Sequence, residues 1–254
     1  MKRLLLPISF IYSIVLLIRH KLYDWNILKS KSYDIPSICV GNLNFGGTGK
    51  TPHIEYLTEL LSEKYKLAIL SRGYGRNTKG FVLANENHTH LDIGDEPLQY
   101  FKKFKDAKVA VDENRCEGME RLLQEENPPQ IVLLDDAYQH RKIKPGLNIL
   151  LTDYYNLYSN NHLFPAGNLR DIKKAAQRAD IIVATKSPNV ITPYYRRDVE
   201  SSLKPLPHQK IFYSYIEYLN FRPFSKISYE TDIKETKTAC FFAELLIHTH
   251  WKII

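Results

Sequence analysis

The chain has 254 residues, 44% hydrophobic and 25% charged, with a formal net charge of +7. That balance is ordinary for a soluble globular protein in one large or two smaller domains and leaves room for a proper core. Cys39, Cys116 and Cys240 are scattered without a C-x-x-C pair, which argues against a disulfide framework or a zinc site and for a reducing compartment; His88, His90, His248 and His250 lack a neighbouring Cys or carboxylate at ligand spacing and read as solvated loop histidines.

The positive charge is uneven. Lys2, Arg3, Arg19, Lys21, Lys29 and Lys31 crowd the start of the chain, with Asp24 as the only acid among them. Between them runs LLLPISFIYSIVLLI, Leu4 to Ile18, shorter than the roughly 20 apolar residues of a spanning helix. No small-x-small cleavage site precedes Arg19-His20-Lys21, so a secretory signal does not fit. The flanking cations with Tyr12, Tyr23 and Trp25 suit a helix lying in the interface of an anionic membrane, and residues 1–31 are set apart as that segment. A helix packed on its own domain is the alternative. The cations flank apolar residues rather than line an exposed basic face, so nucleic acid is not an expected partner.

Next comes SICVGNLNFGGTGKTPHIEYL, Ser37 to Leu57: an apolar run, a turn rich in Gly and Asn, then an amphipathic segment through Ile54, Leu57, Leu60 and Leu61. Strand, loop and helix are predicted. Gly46, Gly47 and Gly49 lack a β-carbon, so the backbone of Asn44-Phe45-Gly46-Gly47-Thr48-Gly49 can approach a bulky anion closely. The following helix adds its unpaired N–H groups and positive dipole end. Lys50 places a charge against the outer phosphates, and the Thr51 hydroxyl is a Mg²⁺ ligand. Pro52 is tolerated in the first helical turn. Against G-x-x-x-x-G-K-[ST] one position departs: Asn44 stands at the first Gly, and Asn tolerates left-handed backbone angles.

Short apolar runs closing on polar residues then recur at KLAILSRGYGR from Lys66, KVAVDENR from Lys108, QIVLLDDAYQHR from Gln130, LNILLTD from Leu147 and DIIVATKS from Asp180. Most are separated by helix-length stretches, which implies a mostly parallel sheet covered by helices, an α/β/α sandwich with ligands at the carboxyl ends of the strands. Asp135 and Asp136 end the most apolar of these runs, where a carboxylate fixes Mg²⁺ and its water shell. GDEPLQ, Gly94 to Gln99, puts Asp95 and Glu96 in a turn ahead of a helix; either can be a capping residue, and a carboxylate acting as base needs a partner, usually His. Arg72 and Arg76 frame a turn and are candidate clamps for an anion, as is Arg170 in HLFPAGNLRD. Thr185-Lys186-Ser187-Pro188 has Pro where a guanine-reading turn carries Asp, which favours adenine. TKSPNVITP marks a boundary, so a phosphate-loop domain over 32–188 is followed by a second, smaller unit over 189–254 that contains HQKIFYSYIEY and TKTACFFAE.

Seven stretches, PISFIYSIVLLIRHKLYDWNILKS, VGNLNFGGTGKTP, SRGYGR, GDEPLQ, VAVDENRCEG, LLDDAYQHR and LFPAGNLRD, stand in the order and spacing of the tetraacyldisaccharide 4'-kinase (lipid A 4'-kinase) family, and the chain resembles that family to about Phe242. The resemblance implies a P-loop NTPase-like α/β/α domain with a smaller α/β domain. It also implies ATP-dependent phosphorylation of the 4'-hydroxyl of a tetraacyldisaccharide 1-phosphate at the cytoplasmic face of the inner membrane, with peripheral or monotopic attachment. Carried over by motif, Lys50 and Thr51 hold phosphate and Mg²⁺, Asp135 and Asp136 serve the metal and the active site, and Asp95 is the candidate base; Asp95, Lys50 and Asp136 form the catalytic set, and Thr51, Asp135 and Glu96 the metal set. Ala137-Tyr138 replaces the family's Gly-Phe, and Asp171 replaces Glu, which bears on local substrate contacts. The family's second domain has a GIANP-like turn and an Asp-His-His motif whose histidine partners the base, whereas this chain ends in FFAELLIHTHWKII.

Restoring one G to the second codon of a back-translation of Ala243 to Ile254 yields Ala-Gly-Ile-Ala-Asn-Thr-His-Pro. A frameshift there, leaving the second domain incomplete, ATP binding intact and turnover strongly reduced, is therefore the expectation. The residues leave two other readings open: a non-catalytic ATP-binding membrane protein, or another P-loop small-molecule kinase.

Overall fold

The structure is a computed structural model that describes residues 5–218 and 249–253. Seven strands pair in parallel in the order β4-β2-β5-β1-β6-β7-β8: β1 (Ser37–Asn42), β2 (Leu67–Ser71), β4 (Lys108–Val111), β5 (Ile131–Asp135), β6 (Leu147–Asp153), β7 (Ile181–Thr185) and β8 (Lys210–Tyr218). Short β3 (Val82–Leu83) and β9 (Thr249–Ile253) flank them antiparallel at the two edges.

Alternation along the strands divides the core into two layers. Cys39, Leu70, Val132, Leu134 and Leu150 face one side, where Met119 and Leu122 of α5 (Arg115–Leu123) cover them. Val40, Ile69, Leu133 and Leu151 face the other, under Ile54 of α2 (Lys50–Ser62) and Tyr100 of α4 (Asp95–Lys103). These central strands are apolar on both faces because helices dry both, the usual condition of a parallel sheet. The P-loop-like α/β/α sandwich is therefore the one the strand spacing predicts.

Two stretches differ from that expectation. Between β6 and β7 there is no α-helix, only 3₁₀ turns at Tyr158–Asn160 and Lys173–Arg178. Asn156, Asn160, Asn161, Pro165, Gly167 and Asn168 favour turns over helix there. The boundary near Asn189 falls between β7 and α6 (Pro193–Leu203), and β8 beyond it pairs with β7 in the same sheet, from Ile181 opposite Lys210 to Ala184 opposite Tyr213. HQKIFYSYIEY supplies β8; TKTACFFAE, and the proposed frameshift point at Ala243, lie outside the described residues.

The N-terminal helix α1 (Leu6–Asp24) has 19 residues, extends past the apolar run, and is long and apolar enough to cross a membrane by length and composition. Its buried stripe, Ser9, Leu16, His20 and Tyr23, recurs at helical spacing and sits on the domain. Ser9 Oγ donates to the Leu163 carbonyl at 3.0 Å and accepts from the Ala166 N–H at 2.9 Å. Tyr12 donates to the Arg170 carbonyl at 3.2 Å. The opposite face leaves Ile8, Ile11, Val15 and Ile18 exposed. The helix thus packs on its own domain along one stripe, as the second reading of this segment has it, and keeps an apolar face uncovered on the other.

Candidate active site

The loop of residues 43–49 leaves β1 at the centre of the sheet and enters α2 at Lys50. The Asn42 amide closes it from below, donating to Thr48 Oγ1 at 2.7 Å and to the Gly46 carbonyl at 3.3 Å. Gly46 (φ 109°) and Gly49 (φ 85°) occupy left-handed backbone that costs a side-chain residue free energy. A β-carbon added at Gly46 or Gly47 would meet no protein atom within 4 Å. The loop glycines therefore leave open space on their outer side, the cradle a phosphate group needs.

Asn44 does not use the left-handed tolerance expected of it; it is absent from the positive-φ residues and forms an isolated antiparallel bridge with Leu169. Its neighbours extend that pairing, with Phe45 N–H on the Asn168 carbonyl at 2.7 Å and Arg170 N–H on the Leu43 carbonyl at 2.8 Å. The first loop residue is thus held by a second chain segment, and Asn44 itself donates to the Asn156 carbonyl at 3.3 Å.

That segment delivers Arg170. Its guanidinium grips both oxygens of Asp136, one at 2.9 Å, and also bonds the Asn42 carbonyl and side-chain oxygen. Lys50 Nζ lies 3.8 Å from Asp136 Oδ2, the oxygen that accepts from Arg170 at 2.9 Å. Burial alone would raise the Asp136 carboxyl, but the Arg170 hydrogen bonds and charge, with Lys50, hold it below its ordinary value. Asp136 has φ 49°, a left-handed turn at the end of β5 that aims it away from its neighbour.

Asp135 points inward, accepting from Ser71 Oγ at 3.1 Å and facing the Tyr100 hydroxyl at 3.4 Å. Burial, then the charges of Glu96 and Asp136, push its carboxyl up to about 7. Its Oδ1 is buried without a hydrogen-bond partner among the described residues. Glu96 accepts from the Thr51 hydroxyl at 3.0 Å. Thr51, Asp135 and Glu96 thus converge as one hydroxyl and two carboxylates, one with an unused oxygen lone pair. Among the described residues no group of three or more His, Cys, Asp or Glu forms a protein-only cage. An oxygen set of this size suits Mg²⁺, which keeps waters and shares ligands with substrate phosphates.

Asp95 opens α4 beside Glu96 and is exposed. Its turn packs against the Arg72–Arg76 turn with little room: a β-carbon on Gly73 (φ 71°) would lie 2.8 Å from the Ile93 carbonyl, and one on Gly94 (φ 91°) 2.8 Å from the Tyr74 carbonyl. The two motifs brace each other. Arg76 spends one terminal nitrogen of its buried guanidinium on Glu113 and on the Gly80 carbonyl at 2.7 Å, while the other terminal nitrogen has no hydrogen-bond partner among the described residues. Arg72 remains exposed.

Three further residues serve the site without having been singled out for it. Arg115 is buried, donates to the Asp112 carbonyl at 2.6 Å and to the Asp135 carbonyl at 3.3 Å, and so staples β4 to β5 behind the carboxylates. Tyr100 and Ser71 brace Asp135. The motif VAVDENRCEG marked Arg115 only as a member of a pattern. The two substitutions noted in the sequence turn inward: Tyr138 is buried against Gly41 and donates to the Ala175 carbonyl at 2.8 Å, while Asp171 binds His20 Nε2 at 2.7 Å. His53 of α2 is also buried, Nδ1 2.7 Å from the Gly49 carbonyl and Nε2 3.1 Å from Ser214 Oγ; burial pushes it down to about 4.

Sheets of this kind grip phosphate where the loop after the central strand turns into a helix, and this geometry places the chain among the phosphate-loop, nucleoside-triphosphate-binding α/β proteins. Within that class the sequence is specific. Residues 1–220 match the family described as LpxK, tetraacyldisaccharide-1-P 4'-kinase, and the chain belongs to that family. It is 49% identical over 220 residues to a tetraacyldisaccharide 4'-kinase of Bacteroides thetaiotaomicron, and 50% identical over 218 residues to one of Flavobacterium johnsoniae. Each alignment covers 86% of this chain but only 58% and 64% of the respective relative. A crystal structure of LpxK from Aquifex aeolicus, described as its "apo" form in complex with ATP, superposes with TM-score 0.72 at 34% identity, covering 86% of this chain and 66% of that one.

Proposed function

We propose that this chain is an ATP-dependent kinase that phosphorylates the 4'-hydroxyl of tetraacyldisaccharide 1-phosphate, a lipid A precursor. The observation that carries the reading is the juxtaposition at the end of β1 and β5. An open glycine loop leads into Lys50, Lys50 faces Asp136, and Asp136 is held in place by Arg170. The family and the ATP named with the Aquifex aeolicus structure support ATP as phosphate donor.

In this reading the amides of Gly46, Gly47, Gly49, Lys50 and Thr51, at the loop and the α2 N-terminus, hold the triphosphate, and Lys50 follows the charge on the transferring group. The acceptor 4'-oxygen bonds to the γ-phosphorus as the bond to the β–γ bridging oxygen breaks, ADP leaves, and the acceptor's proton passes to Asp95. Asp136 orients Lys50 and, through Arg170, keeps that end of the site rigid. Mg²⁺, held by Thr51, Asp135 and Glu96, would neutralise charge on the phosphate oxygens. The exposed face of α1, continued by Trp25, Ile27 and Leu28 and edged by Arg19, Lys21 and Lys29, supports attachment to the anionic cytoplasmic face of the inner membrane.

The test is twofold. Folded protein should bind Mg·ATP, and Lys50→Ala should abolish that binding. With γ-labelled ATP and tetraacyldisaccharide 1-phosphate in mixed micelles, label should reach the lipid in a Lys50-dependent manner. Transfer to a different acceptor in place of this lipid would refute the substrate, Mg·ATP binding with no transfer to any acceptor would refute catalysis by this chain, and no binding at all would refute the nucleotide site.

A further inference from the structure

Resting on the reading of the loop as a nucleotide site, we propose that His53 is a positioning residue for the phosphate loop, locking the Gly49–Lys50 peptide so that the Lys50 amide N–H faces the triphosphate.

His53 is 3% exposed and lies one helical turn into α2. Two of its N–H groups converge on one oxygen: the backbone N–H reaches the Gly49 carbonyl at 3.3 Å, and ring Nδ1 reaches the same oxygen at 2.7 Å. A carbonyl oxygen only accepts, so Nδ1 carries the ring proton. In the neutral ring Nε2 is then an acceptor, and it receives the Ser214 hydroxyl at 3.1 Å. Ser214 is fully buried on β8, and its own carbonyl accepts the Ser187 N–H at 2.9 Å and the Ser187 hydroxyl at 3.0 Å. One ring therefore joins the phosphate loop, β8 and the Thr185–Pro188 turn.

The consequence follows from the peptide bond. Gly49 is the left-handed residue at which the loop turns into the helix (φ 85°, ψ 28°), the position where a glycine peptide is freest to rotate. The Gly49–Lys50 unit is planar and trans, so its C=O and N–H point in opposite directions. A carbonyl held down the helix axis by two donors directs the Lys50 N–H up into the loop. An apolar residue of similar size at position 53 would fill the space and leave the peptide with its single helical hydrogen bond. Spacing alone marks position 53 as a core position of an amphipathic helix; the hydrogen bonds are what distinguish it.

The experiment uses the full chain and Mg·ATP titrated calorimetrically. His53→Leu should weaken Mg·ATP about ten-fold, the equivalent of one hydrogen bond to the loop. His53→Asn, whose amide N–H lies near the position of Nδ1, should recover most of that loss although it fills the space less well than Leu. A packing role predicts the reverse order. Ring ¹⁵N shifts of the wild-type protein supply a readout independent of any variant: the Nδ1–H tautomer is expected, with a change on adding Mg·ATP. Equal affinity of folded His53→Leu and wild type, equal losses for Leu and Asn, or an Nε2–H tautomer each overturns the proposal. Failure of the wild type itself to bind Mg·ATP would instead remove the nucleotide reading on which it rests.

Discussion

Replacing His20 by Ala should undock α1 from the loop that carries Arg170. His20 and Asp171 are 6% and 1% exposed, and Nε2 donates to Asp171 Oδ1 at 2.7 Å. The opposite ring nitrogen faces Arg141, a donor only, at 3.1 Å, so the ring is oriented from both sides. Without the imidazole, Asp171 keeps one hydrogen bond, from the Ile172 N–H at 2.8 Å, and Arg178 stays at 3.6 Å. A hydrogen bond to a charged group contributes about 1.5–3 kcal/mol, and a buried carboxylate left under-paired adds to the cost, so His20→Ala should destabilise the protein by about 3 kcal/mol. Asp171→Ala should cost a similar amount, because it strands Arg178, whose Nε and one terminal nitrogen already lack partners among the described residues. The double variant should cost less than the sum, with a coupling of about 2 kcal/mol. Urea unfolding measures the three losses, and native-state hydrogen exchange shows whether the amides of α1 open first. Additivity within about 0.5 kcal/mol, or unchanged exchange in α1 of His20→Ala, would refute the docking argument.

The loop glycines separate folding from binding: Gly47→Ala, whose β-carbon meets nothing and whose φ is not positive, should leave the unfolding midpoint unchanged yet weaken Mg·ATP at least about ten-fold, and unaltered affinity would deny the cradle its phosphate. Gly73→Ala adds strain at φ 71° and a 2.8 Å contact with the Ile93 carbonyl, so it should cost about 2 kcal/mol in thermal unfolding and displace the turn that presents Asp95; a neutral result would mean the two turns are not braced. Stability should fall as pH is lowered from about 6.5 towards 4. Burial drops His53 and His140 to about 4, so the unfolded chain takes up two protons in that window that the native state refuses, against one that native Asp135, raised to about 7, already holds. The net slope is on the order of 1 kcal/mol per pH unit near pH 5, and urea midpoints that rise on acidification would show that the histidines are not buried in neutral form.

The frame of this site is legible in the sequence because its parts are local. An apolar run, a Gly-rich turn and Lys50-Thr51 within one short stretch specify strand, loop and helix, and Asp135 ends the next strand in the sheet. Arg170 is not legible in the same way. Its role depends on residues 168–170 pairing with residues 43–45, segments far apart in sequence, and nothing near Arg170 announces that register. Nor does adjacency predict a shared role. Arg170 reaches forward to Asp136, and Asp171 reaches back to His20, so a substitution that looks like a change in substrate contact is a change in how α1 is seated.

The paired aspartates obey the same rule, and it explains why two carboxylates are placed side by side despite their repulsion. On a straight strand, successive side chains already diverge; the left-handed backbone of Asp136 completes the separation at a cost of about 1–2 kcal/mol. Asp135 is thereby left in a buried pocket with Ser71 and Tyr100, its charge unfavourable until a cation arrives, while Asp136 enters a half-exposed pocket already neutralised by Arg170 and Lys50. One carboxylate is poised to accept positive charge and the other is already satisfied. A cation entering near Asp135 would relieve its burial and leave the contacts of Asp136 with Arg170 and Lys50 in place.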